Sequence, residues 1–95
     1  MTDGVVRNDE TQSRYEIRVD DEIAGFINYR AAEGGLVMVH AEVASAWEGH
    51  GVGSMLAAGA LDDLRARGLR VRPDCSFVAE FIDKHPEYAD IKMAP

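Results

Sequence analysis

An α+β fold is predicted for this chain: an antiparallel β-meander followed by helix, strand and helix (β-β-β-α-β-α). Three observations predict it. Apolar residues at Tyr15, Ile17 and Val19 alternate with Glu16 and Arg18, the period of a half-buried strand. Two short turn-forming stretches, Asp20-Asp21-Glu22 and Ala32-Glu33-Gly34-Gly35, separate this run from two further apolar runs. Loops that short join antiparallel neighbours. From about Gly51 onward the apolar period becomes that of a helix.

Met1 to Ser13 is polar and charged apart from Val5-Val6, and reads as a flexible arm. Residues 14–95 then form a single domain. After the first strand, Ile23 to Arg30 makes the second, with Phe26, Ile27 and Tyr29 as its bulky members. Leu36 to Val43 makes the third. The first helix, about Gly51 to Arg67, carries Val52, Met55, Leu56, Ala60, Leu61 and Leu64 at helical spacing. Gly68 stands where a helix commonly ends in a left-handed residue. Leu69 to Arg72 is a short strand stopped by Pro73. The second helix, about Cys75 to Lys84, buries Phe77, Val78, Phe81 and Ile82. His85-Pro86 breaks it, and a last turn carries Tyr88 and Ile91.

Ninety-five residues supply one core and no second module. Ten basic residues against 17 acidic ones leave a net charge of -7, which argues against nucleic acid as a partner. The same acidity favours a cationic amine or basic peptide, or serves solubility alone. No apolar run reaches the length of a membrane span. The single cysteine, Cys75, forms no intrachain disulfide, so a reducing, cytoplasmic setting is expected. A monomer or weak dimer is expected.

The most informative stretch is Gly49-His50-Gly51-Val52-Gly53-Ser54, between the third strand and the first helix. A glycine-rich loop leading into a helix presents free backbone N–H groups at the positive end of the helix dipole, a setting for a phosphate-bearing ligand. Two familiar phosphate loops do not match. The dinucleotide pattern G-x-G-x-x-G meets Ser54 or Leu56 where its third glycine belongs, and no lysine follows to complete a nucleoside-triphosphate loop. Charge-assisted amide bonds contribute about 1.5–3 kcal/mol each, so several outweigh the carboxylate of the preceding Glu48, which can swing into water. His50 either donates to a phosphate or caps the loop. Arg65, Arg67, Arg70 and Arg72 form a solvated face, or lend one member to an outer phosphate.

Glu48-Gly49-His50-Gly51-Val52-Gly53 resembles the pyrophosphate loop of the GNAT N-acetyltransferase superfamily, [Q/R]-x-x-G-x-[G/A]. Pro73-Asp74-Cys75-Ser76-Phe77 is similar to the P-x-C-[SP]-[FY] turn of its minimal, single-domain subgroup. His85-Pro86-Glu87-Tyr88 is similar to that subgroup's H-P-E-[FY] ending, and His40-Ala41-Glu42-Val43 to its H-T-E-V strand end. Glu48 stands where glutamine or arginine is usual, Phe81 where tyrosine is frequent, and Ala41 where the subgroup has threonine.

The resemblance implies a GNAT-like fold that binds acetyl-CoA, with the loop amides on the pyrophosphate of coenzyme A. It implies contacts from Glu42, Val43, Glu48, Gly49, His50, Gly51, Val52, Gly53, Ser54 and Cys75. The third strand would pair with the pantetheine arm, and the next strand would splay away to admit the thioester. The implied reaction passes acetyl to an amine, a protein lysine or a polyamine. Cys75 opens a helix, where the dipole favours thiolate and Asp74 opposes it. The resemblance places it near the thioester, as acyl relay or positioning group; its plain reading is a small buried hydrophobe. His40, on the face of Met38 and Glu42, is the expected base, or else a hydrogen-bonded core residue. His85 reads as structural, Trp47 and Tyr88 as packing groups. No zinc-ligand spacing is present among His40, His50, His85 and Cys75. The alternative is a coenzyme A-binding or protein-interaction module with the same fold and no turnover.

Overall fold

Tyr15, Ile17 and Val19 all turn into the core, where with Ile27, Leu36 and Met38 they line one face of a five-stranded sheet. The computed structural model describes residues 4–94. Strands β1 (Val5–Asp9), β2 (Arg14–Val19), β3 (Glu22–Ala32) and β4 (Gly35–Val43) form an antiparallel meander. Helix α1 (Val52–Ala66) leads to β5 (Arg70–Pro73), which joins β4 in parallel, and α2 (Ser76–Lys84) follows. Short 3-10 segments lie at Ser45–Trp47 and Pro86–Ile91.

Val5–Asp9 corrects an expectation. These residues belong to an edge strand, so the order is β-β-β-β-α-β-α within the expected α+β class. The cause lies far away in the sequence. Val6 packs against α1 at Gly59, where a Cβ would come within 2.6 Å of the Val6 side chain. Glycine inside a helix costs about 1 kcal/mol relative to alanine, and here it admits a strand. Met1 to Asp3 of the expected arm lie outside the described residues, as does Pro95.

Both helices bury their apolar faces in one cluster. Leu56, Ala60, Leu61 and Leu64 of α1 meet Val78, Phe81 and Ile82 of α2 over the sheet. A fully buried side chain of the larger apolar kind contributes about 1.5–3 kcal/mol. Two tyrosines anchor α1 from neighbouring elements: Tyr15 Oη donates to Asp63 at 2.6 Å, and Tyr88 Oη to Asp62 at 2.8 Å. Burial first, and then the carboxylate partner, push both phenols above their ordinary value of 10.0, Tyr88 to about 12. As expected of Gly68, the helix ends there with positive φ, and the Leu69 N–H returns to the Leu64 carbonyl at 2.9 Å.

A β-bulge in β4 decides what faces where. Asn28 opposes His40, but the next residue, Tyr29, opposes Met38, leaving Val39 as an extra residue. An inserted residue reverses the alternation beyond it. Met38 is therefore fully buried in the core, whereas His40 and Glu42 project from the other face. The expectation that Met38 and His40 share a face fails for this reason. The far face, with Arg14, Glu16, Phe26, His40 and Glu42, carries no helix among the described residues.

Candidate active site

β4 and β5 stay paired for only four positions, from Gly35 opposite Arg70 to Met38 opposite Pro73. One further bond, from the Cys75 N–H to the Met38 carbonyl at 2.9 Å, holds the apex. Beyond it α2 carries the chain away while β4 continues to Val43, so a notch opens between them. The Ala44 N–H donates to the directly opposed Ala24 carbonyl at 2.8 Å. In an antiparallel ladder, bonded and non-bonded pairs alternate. His40 and Glu42 therefore turn their main chain toward β3, while Ala41 and Val43 turn N–H and C=O into the notch. Of the two β4 residues expected to pair with a ligand arm, Val43 offers its backbone and Glu42 does not.

The glycine loop closes one end of this notch. Gly49 and Gly51 have φ of 82° and 76°, in the left-handed region that glycine adopts without strain. Gly51 caps α1 with no side-chain bond, and its carbonyl accepts from the Met55 N–H at 3.2 Å. The amides of Val52, Gly53 and Ser54 have no intramolecular partner among the described residues. A Cβ at Gly51 would meet nothing within 4 Å. The first turn of α1 carries no acidic residue. His50 does not cap the helix; its ring stands edge-on to Trp47 at 5.9 Å between centroids. Glu48 is exposed and extended just before the loop glycines.

The arginines lie elsewhere. Arg65 pairs with Asp90, Arg67 with Asp63 at 3.3 Å, and Arg72 with Asp74 at 2.9 Å, while Arg70 donates to the Asp90 carbonyl at 3.2 Å. Arg65 and Arg67 occupy the far end of a 15-residue helix, about 22 Å from the loop. All four are thus engaged on the protein surface, as the solvated-face reading expects. The start of α1 faces α2 instead, across a cavity of about 110 Å³ lined by Ser54, Phe77, Glu80, Phe81, Lys84 and His85. Lys84 makes no ion pair among the described residues. Sequence reading passed over Lys84 and treated Phe77 as core, although Phe77 is 37% exposed. Their one signal was position: the last turn and the open side of a helix folding back toward the loop. Phe81 is buried and stacks on His85 at 4.0 Å, and His85 Nδ1–H donates to the Phe81 carbonyl, so His85 serves structure.

Cys75 and His40 flank the apex from opposite sides. Cys75 is the N-cap residue of α2, and its thiol is buried in the core cluster. The His40 side chain is 56% exposed on the uncovered face, with Nε2 3.1 Å from Glu42 Oε1 and its ring 6.3 Å from that of Phe26. The sheet separates the two groups, and no bond joins them. With Nε2–H donating to Glu42, Nδ1 is the nitrogen free to accept a proton.

A family model for GCN5-related N-acetyltransferases matches residues 14–91. No curated protein matches. The fold is similar to an NMR solution structure of a GCN5-like protein from Staphylococcus aureus, with a TM-score of 0.71 at 20% identity. That likeness covers 96% of this chain and 89% of the other.

Proposed function

Because this chain belongs to the GCN5-related N-acetyltransferase family, we propose that it transfers acetyl from acetyl-coenzyme A to a primary amine carried by a protein lysine or a polyamine. One observation carries the reading: the unpartnered amides of Val52, Gly53 and Ser54 stand at the end of a notch whose β4 wall offers free main-chain groups at Ala41 and Val43. Such amides suit a pyrophosphate, and a strand edge suits the amide-bearing pantetheine arm. The open space at Gly51 is room for that ligand. Lys84, across the groove from Ser54, supplies the positive charge that Glu48 does not.

Acetyl-coenzyme A, when bound, supplies a thioester whose carbonyl carbon takes the lone pair of the amine nitrogen as the C–S bond breaks and coenzyme A departs as thiolate. The chain's own residues prepare that exchange. An ammonium ion has no lone pair to give, so His40 first accepts one of its protons at Nδ1 while Glu42 holds Nε2–H. After the C–N bond forms, the nitrogen's second proton passes through solvent to the thiolate. Cys75 lines the apex from the core side and keeps it narrow, and transfer is direct to the amine. Glu48, a carboxylate beside the loop, favours a second reading, in which coenzyme A binds without turnover.

Mixing the protein with acetyl-coenzyme A and a panel of lysine peptides and polyamines, followed by mass spectrometry, tests the proposal. A 42-dalton gain on an acceptor amine, about the mass an acetyl group adds, is expected. Binding with no transfer to any amine supports the second reading. A stable adduct on Cys75 overturns direct transfer.

A further inference from the structure

We propose that the uncovered face of the sheet is the acceptor site, and that it takes a lysine side chain presented by another protein. This rests on the acetyl-transfer reading and narrows its acceptor. The face holds a cavity of about 260 Å³ lined by Arg14, Ile23, Ala24, Phe26, Glu42 and Ala44. Its charges are not equivalent. Arg14 and Glu16 form a 2.9 Å ion pair with side chains only 19% and 3% exposed, and the Arg14 guanidinium lies over the Phe26 ring at 4.9 Å. Those two charges cancel each other within the sheet surface. Glu42 is left as the carboxylate open to a visiting cation, 60% exposed, with His40 as its neighbour.

The rest of the lining is apolar. Ile23, Phe26 and Ala44 make a trough beside one available carboxylate, which matches a single ammonium on an alkyl stem. A polyamine fits poorly, because the lining offers one open carboxylate, Glu42, and its further positive charges would find no second one there. The ammonium held by Glu42 lies next to His40, the group proposed to deprotonate it. His40 follows Val39, which begins the unpaired stretch of β4, so the amine is held beside the edge of the notch. The net charge of -7 favours a basic protein surface as the source of that lysine. With no helix over this face among the described residues, a folded partner can approach it broadside.

The test uses the whole protein saturated with coenzyme A, which cannot react, and a fluorescent peptide bearing one lysine in a basic context. Equilibrium binding is read by anisotropy for wild type, Glu42→Gln and Ile23→Lys, with calorimetry of coenzyme A alongside. Ile23 is 38% exposed, so its replacement leaves the core intact. Each substitution is expected to weaken peptide binding about tenfold or more while coenzyme A affinity stays unchanged. With acetyl-coenzyme A, kcat/KM for the peptide is expected to exceed that for spermidine. Unchanged peptide binding in both variants, or a preference for spermidine, overturns the acceptor site alone. Failure of the wild type to bind coenzyme A overturns the acetyl-transfer reading beneath it.

Discussion

Gly51 separates two roles that a loop glycine can play, and two substitutions distinguish them. At φ of 76° a β-branched residue is strained, so Gly51→Val is expected to cost about 1–2 kcal/mol of stability. For a chain of this size, each kcal/mol lowers the melting temperature by about 4–8 °C. Asparagine tolerates the left-handed region, so Gly51→Asn is expected to melt within a few degrees of wild type, about 0.5 kcal/mol or less. Both side chains enter the space in which a Cβ meets no protein atom within 4 Å. If that space holds a pyrophosphate, either variant displaces it from at least two amides worth about 1.5–3 kcal/mol each. Coenzyme A affinity should then fall about 100-fold or more in both. Calorimetry with coenzyme A, paired with thermal unfolding, reads the two effects separately. The reasoning fails if Gly51→Asn binds coenzyme A as wild type does, since open space beside the amides would then not be the ligand's.

His40→Gln is expected to lower kcat about 100-fold or more with coenzyme A affinity unchanged, because proton transfer to a positioned base contributes on that scale. Cys75→Ala should keep kcat within about tenfold, and rapid-quench mass spectrometry should find no acetyl on the wild-type thiol. Lys84→Ala should reduce the preference for coenzyme A over dephospho-coenzyme A, a ratio that calorimetry measures and that a purely structural lysine would leave alone. In the alkaline range, the stabilising contribution of the neutral Tyr15 and Tyr88 phenols should be full below the unfolded value of 10.0 and fade as pH rises, for Tyr88 through about 12. Denaturant midpoints across that range should decline less steeply in Tyr88→Phe.

Periodicity, bounded by turn and breaker residues such as Gly68 and Pro73, located β2 to β5 and both helices to within a residue or two. β1 escaped because Val5 remains exposed and Val6 is matched by an absence, the missing side chain of Gly59 more than fifty residues later. The glycine loop was legible because positive φ and free amides are local properties of its residues. The face on which His40 projects was not, since alternation counted through Met38 gives the wrong answer unless the bulge at Val39 is known. A bulge is a property of strand pairing, invisible in either strand alone. The place of Lys84 was hidden for a similar reason: Arg65 and Arg67 stand a helix length from the loop, whereas Lys84 is returned to it by the packing of α2 on α1.

The extra residue at Val39 makes β4 a wall with two usable sides. Main-chain groups of Ala41 and Val43 look along the sheet into the notch, and the side chains of His40 and Glu42 look out from its far surface. On the proposed reading, a nucleotide-tailed donor and an amine arrive by these separate routes, so neither has to precede the other. Steady-state kinetics of random order, with both substrates present together before any product leaves, is the behaviour such a two-sided partition entails.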